Sequence, residues 1–73
     1  MFKVIVVICV LSTPKPACQV AGEHLAVLYP ETEVAGSAQC MQFGMFYAAE
    51  SGLVQPGTYP KIFCKPIARG AHA

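Results

Sequence analysis

The stretch VIVVICVL, residues 4–11, is an uninterrupted apolar run that follows Phe2 and Lys3. Most of its side chains are β-branched, and such residues lose rotamer freedom in a helix but fit a pleated surface. A run without polar alternation is typical of a strand that is buried on both faces. We therefore predict a central strand over residues 2–11, for which the rest of the chain supplies neighbours.

Two further strands are predicted from shorter signals. The segment HLAVLY, followed by Pro30, reads as a strand, although its Ala and Leu would also suit a helical turn. A Pro-Gly turn at 54–57 leads into a last strand, in which Pro60 is tolerated near the start or on an edge. The predicted fold class is α+β: a small two-layer sandwich of about three strands (2–11, 24–29, 58–65) with one helix (about 34–51) packed on one face.

The helix has start and stop signals. Thr32 or Ser37 could cap its N-terminus, and Ser51-Gly52 would end it. Helical spacing gathers a set of mostly small or thioether residues on the inner side: Cys40, Met41, Gly44, Met45 and Ala48. It gathers the following on the outer side: Gln39, Gln42, Phe46 and Glu50, with Phe43 beside them.

The predicted outward position of the Phe43 and Phe46 rings has two alternative explanations. A flap formed by the Pro-rich connector after the first strand, or by the C-terminal tail, could cover them. Alternatively they are anchors for another subunit, since aromatic residues are enriched at the centres of interfaces. We favour the second alternative, with these partner-interface candidates: Phe43, Phe46, Gln39, Gln42, Ile67 and Arg69.

Cys9, Cys18, Cys40 and Cys64 are too widely spaced for a zinc or thioredoxin-type motif, so metal ligation is not expected. Three disulfide pairings are possible, and we favour Cys18 with Cys40 and Cys9 with Cys64. The alternative for the latter pair is two buried thiols. Each disulfide would stabilise a small core by about 3 to 4 kcal/mol and implies a setting outside the reducing cytosol.

Size and composition predict a component of something larger. The 73 residues form one small domain, 1–73, with an ordered C-terminal tail from about 66, and 55% of them are hydrophobic while 12% are charged. So small a body leaves apolar surface exposed, and a contiguous apolar patch usually marks a partner or a membrane. The net charge of +1 argues against nucleic acid as that partner.

The N-terminal run resembles a secretory signal, but we expect it to stay in the mature fold. Cleavage near Ala17 would remove Cys9 and leave three cysteines, an odd number that cannot all form disulfides within the chain. As a helix the run would cover about 12 Å of a bilayer core of about 30 Å, so no transmembrane segment is predicted.

Chemistry-bearing residues are sparse. His24 and His72 are the only histidines, and no Ser/His/Asp set or phosphate-binding glycine motif is present. We therefore expect no enzyme activity and no cofactor.

Four features occur in this order along the chain: Lys3-Val4-Ile5 through Cys9, Ala17-Cys18, Cys40 with Ala49-Glu50 in one helix, and Gly57-Thr58-Tyr59 before Lys61-Ile62-Phe63-Cys64. Taken together they resemble short uncharacterised reading frames of alphaproteobacteria and their bacteriophages. The resemblance implies a bacterial or viral setting and no catalytic residues.

The predicted function is that of a non-enzymatic structural subunit, a minor or decorating virion protein of a phage capsid or tail, present in multiple copies among protein partners. The alternative is a small exported or periplasmic binding module, or an accessory subunit of a membrane-associated complex. A redox switch using a labile disulfide is a third reading.

Overall fold

The computed structural model describes residues 1–67, which form a four-stranded antiparallel sheet and one α-helix. The elements in chain order are β1 (Phe2–Val10), a 3-10 turn (Lys15–Ala17), β2 (Ala26–Leu28), β3 (Glu33–Val34), α1 (Ser37–Ser51) and β4 (Thr58–Pro66). This α+β architecture confirms the predicted fold class and adds β3, a strand that was not predicted. Most of the predicted C-terminal tail, from residue 68 onward, lies outside the described residues.

The apolar run forms the central strand of the sheet, as predicted. On one side β1 pairs with β4 over its whole length, from Phe2 opposite Pro66 to Val10 opposite Thr58. On its other side it pairs with β2 and with β3, which lie end to end along the same edge. Because β1 has partners on both sides, it contributes no free edge, whereas β4 does.

Alternation along β1 divides the core between the two faces of the sheet. Val4, Val6 and Ile8 pack under α1, and we call this side the helix face. The intervening residues, Ile5, Val7 and Cys9, pack on the opposite side against Cys18, and we call that side the connector face. All six β1 side chains are at most 8% exposed, which explains why the run carries no polar alternation.

Helix α1 begins three residues later than predicted. Residues 33–34 are in β3, where their backbone pairs with β1, so they are not available to the helix. Gly36 is the N-cap residue and makes no side-chain cap, so neither Thr32 nor Ser37 caps the helix as expected. Gly52, with φ of 77°, ends it in the left-handed conformation that the Ser51-Gly52 signal predicts.

Small residues set the distance between α1 and the sheet. A Cβ placed on Gly44 would lie 2.5 Å from Cγ2 of Ile62 in β4, well inside van der Waals contact. Ala48, one turn later, is fully buried. The helix therefore lies closer to β4 than any side chain at position 44 would allow.

The connector after β1 covers the other side of the sheet. The Thr13 carbonyl accepts a hydrogen bond of 2.7 Å from the Tyr59 hydroxyl, and the Lys15 carbonyl accepts one of 2.6 Å from Nζ of Lys61. The connector thus does not form a flap over the rings of α1, which contradicts that form of the alternative. The other form, a flap made by the C-terminal tail, falls mostly on residues outside the described ones.

Prolines occupy outward-pointing positions on the free edge of β4. Leu11 N donates to Gly57 O (2.8 Å) and Ile67 N to Met1 O (2.9 Å), so odd-numbered residues of β4 carry the hydrogen bonds to β1. Pro60 and Pro66 are even-numbered and lie where an amide would face away from β1. The edge therefore lacks two donors that another strand would need.

Candidate functional site

The four cysteines form two disulfides, Cys9–Cys18 and Cys40–Cys64, with S–S distances of 2.04 and 2.07 Å. The formation of two disulfides is confirmed, but the favoured pairing of Cys18 with Cys40 and of Cys9 with Cys64 is wrong. So is the alternative that Cys9 and Cys64 are free thiols, since no described cysteine is free.

The faces of the sheet explain the pairing. Cys64 is the register partner of Val4 and shares the helix face with Cys40, whereas Cys9 and Cys18 lie on the connector face. Cys9 is opposite Tyr59, five residues from Cys64, which is about 17 Å along a strand. That separation far exceeds the Cα distance of about 7 Å that a disulfide can span. Each disulfide therefore joins the sheet to the layer that covers one face.

The outer side of α1 is an exposed apolar surface. Phe46 is 66% exposed, and Met41 and Met45 are about half exposed. We call these three residues, with the exposed Gln39 and Gln42, the outer helix surface. Glu50 is the one charged residue of the helix. A helix that is apolar around most of its circumference is typically covered on more than one side.

Two predictions about the faces of α1 are wrong. Phe43 does not point outward: it is half-buried, packs against the helix-face core, and its ring lies 5.9 Å from that of Tyr47. Met41 and Met45 were expected on the inner side but are exposed, because the buried stripe is narrow and consists of Cys40, Gly44 and Ala48. Phe46, Gln39 and Gln42 are exposed as predicted.

The remaining predicted interface residues do not join this surface. Ile67 is half-buried and lines a groove on the connector face, beside Lys65. Arg69 lies outside the described residues. The structure thus assembles three of the six interface candidates on one surface and separates Phe43 and Ile67 from them.

Sequence reasoning missed this groove, which we call the connector-face groove. It has a volume of about 760 Å³ and lies between the sheet, the connector and the segment after β2. Its lining is mostly apolar and contains two lysines; it includes Lys3, Ile5, Val20, Tyr29, Phe63 and Lys65. The alternation of Lys61, Phe63 and Lys65 was the available signal, but without the register of β1 and β4 it indicated only an edge.

Among the described residues, few polar side chains lie close to one another. Residues 1–67 contain no group of three His, Cys, Asp or Glu side chains placed to hold a metal ion. His24 has Nδ1 3.2 Å from the Gln19 carbonyl and is exposed. In the described part of the chain no helix has the length and apolarity needed to cross a membrane.

Comparison of the chain with protein-family models, with curated proteins and with solved structures gave no match.

Proposed function

We propose that this chain is a non-enzymatic structural subunit that binds protein partners, including neighbouring copies of itself, through the outer helix surface. The observation that carries the proposal is the exposure of Phe46, Met41 and Met45 on a helix with a single charge. Aromatic and Met side chains are enriched at interfaces, where charged residues are depleted from the core.

The energetic gain from covering this surface is large enough to matter. A Phe side chain can bury roughly 200 Å², so its exposed two thirds correspond to about 130 Å². At about 25 cal/mol per Å², burying that area contributes about 3 kcal/mol. This one ring would therefore account for about a hundredfold in affinity, before any contribution from the methionines.

The assembly that we propose is a bacteriophage particle, in which this chain is a minor or decorating component. Two disulfides are typical of proteins that fold or persist outside a reducing cytosol, and a particle released from its host meets that condition. The resemblance to phage and alphaproteobacterial reading frames supports the same setting.

Sedimentation velocity of the oxidised chain, over a concentration series from micromolar to millimolar, tests the proposal. We expect reversible self-association, which Phe46→Ser weakens by about a hundredfold. Leu25→Ser is the matched control, because Leu25 is 59% exposed but lies outside α1, just before β2. Circular dichroism should show that both variants keep the fold.

Photo-crosslinking tests for protein partners other than a second copy of the chain. A photoreactive residue at position 46 should crosslink to proteins of the assembled particle, whereas one at position 25 should not. A chain that stays monomeric at millimolar concentration, and whose two probes crosslink equally little, would contradict the proposal.

A further inference from the structure

The connector-face groove has an apolar interior. Ile5 lies at its floor with 8% exposure, and Phe63, its register partner on β4, lies beside it. Val20, which is 40% exposed, and Tyr29, which is 54% exposed, also line the groove. A concave apolar site of several hundred Å³ is the size that small molecules occupy.

Positive charge is concentrated at one end of the groove. Lys3 and Lys65 are directly opposite each other in the β1–β4 ladder, so their side chains leave the same face of the sheet. Like charges in this position destabilise a strand pair. Glu33 is the register partner of Lys3 on its other side, and Glu31 also lies near Lys3, so both carboxylates are on the Lys3 side of the lysine pair. An anion at this end of the groove would offset the charge of Lys65.

The ammonium group of Lys3 also has an aromatic neighbour. Its Nζ lies 5.9 Å from the ring centroid of Tyr29, which is within range of a cation–π contact. Tyr29 lines the groove and also an adjoining pocket that contains Glu31 and Glu33, so this contact places the ammonium where the two meet. Lys61, on the same face, donates to the Lys15 carbonyl, and its Nζ also lies 5.2 Å from the ring centroid of Phe63.

From this arrangement we infer that the connector-face groove binds a single-chain anionic amphiphile, a medium-chain fatty acid. Its carboxylate lies between Lys3 and Lys65, and its acyl chain covers Ile5 and Phe63. The site is on the opposite side of the sheet from the outer helix surface, so the inference does not depend on the proposed function.

Three ligands with the same eight-carbon chain separate the two parts of the site: octanoate, octyl glucoside and octyltrimethylammonium, each below its critical micelle concentration. Titrations of the oxidised chain are followed by amide chemical shifts. We expect saturable shifts at Ile5, Val20 and Phe63, with octanoate binding most tightly and the cation most weakly.

Variants assign the contributions. Lys65→Gln should weaken octanoate about fivefold, the upper range for an exposed ion pair, and leave octyl glucoside unchanged. Lys15→Gln is the matched control, since it removes the same charge from a residue that does not line the groove and whose backbone carbonyl accepts the hydrogen bond from Lys61. Val20→Ser should weaken all three ligands alike.

Four results would overturn the inference: equal affinity for the three head groups, equal effects of Lys65→Gln and Lys15→Gln, shifts confined to α1, or binding to vesicles of acidic phospholipid without saturable binding of octanoate.

Discussion

Replacement of Gly44 by Ala tests the close contact between α1 and β4. In an exposed helix interior this change would stabilise by about 1 kcal/mol, because Ala is the better helix former. Here the new Cβ would lie 2.5 Å from Cγ2 of Ile62 and about 3 Å from its Cγ1 and Cδ1. Normal contact between carbons begins at about 3.5 Å, so the overlap is about 1 Å.

The fold has little freedom to relieve this overlap. The Cys40–Cys64 disulfide, one turn before Gly44, holds the helix against β4, and Ile62 itself packs against the helix-face core. Overpacking of this kind costs about 1 to 3 kcal/mol. After subtracting the helix-propensity gain, we expect Gly44→Ala to destabilise by about 1 kcal/mol, with a fall in Tm of roughly 4 to 8 °C.

Urea unfolding of the oxidised chain, followed by circular dichroism at 222 nm, measures this value. Ala49→Gly at an exposed helix position calibrates the propensity term and should destabilise by about 1 kcal/mol. In a double-mutant cycle, Gly44→Ala should cost less in the background of Ile62→Ala, since the clashing carbons are gone. If Gly44→Ala instead stabilises by the amount that Ala49→Gly loses, the reasoning about close approach is refuted.

Two further predictions concern the layers that cover the sheet. Replacing both Cys40 and Cys64 by Ala opens the loop that their disulfide closes, which has a sequence separation of 24. The loop-closure entropy predicts that the free energy of unfolding falls by about 3.5 kcal/mol. A loss below about 1 kcal/mol in urea unfolding would show that packing alone holds the helix. Tyr59→Phe removes the hydroxyl that donates to the partly buried Thr13 carbonyl. The free energy of unfolding should fall by about 1 kcal/mol, and amide exchange in the connector should become faster. Unchanged stability and exchange would contradict that contact.

The strands and the helix could be predicted from the sequence because each carries its own signal. The apolar run identifies β1, Pro56-Gly57 begins the approach to β4, and Gly52 ends α1. Strand β3 has two residues, too few for any periodicity, and its conformation is set by hydrogen bonds to Phe2 and Lys3. Local patterns therefore cannot indicate it.

The disulfides and the groove depend on register instead. The cysteines that pair are determined by the face of β1 that the helix covers. The sequence of the helix alone does not indicate that face. Phe43 illustrates the same limit: its helical angle lies at the margin of the buried stripe, and the sheet beneath it determines that it is covered. Lys3 and Lys65 are 62 positions apart in sequence and become neighbours only through pairing of β1 with β4.

The prolines of β4 constrain how copies of this chain could be arranged. Growth of the sheet from one molecule into the next would require amides at Pro60 and Pro66, where none exists. Lys61 and Lys65 would also face each other across a two-fold pairing centred on Phe63. A main-chain ladder between two copies of β4 is thus disfavoured, so copies that meet at this edge must be held together by side chains.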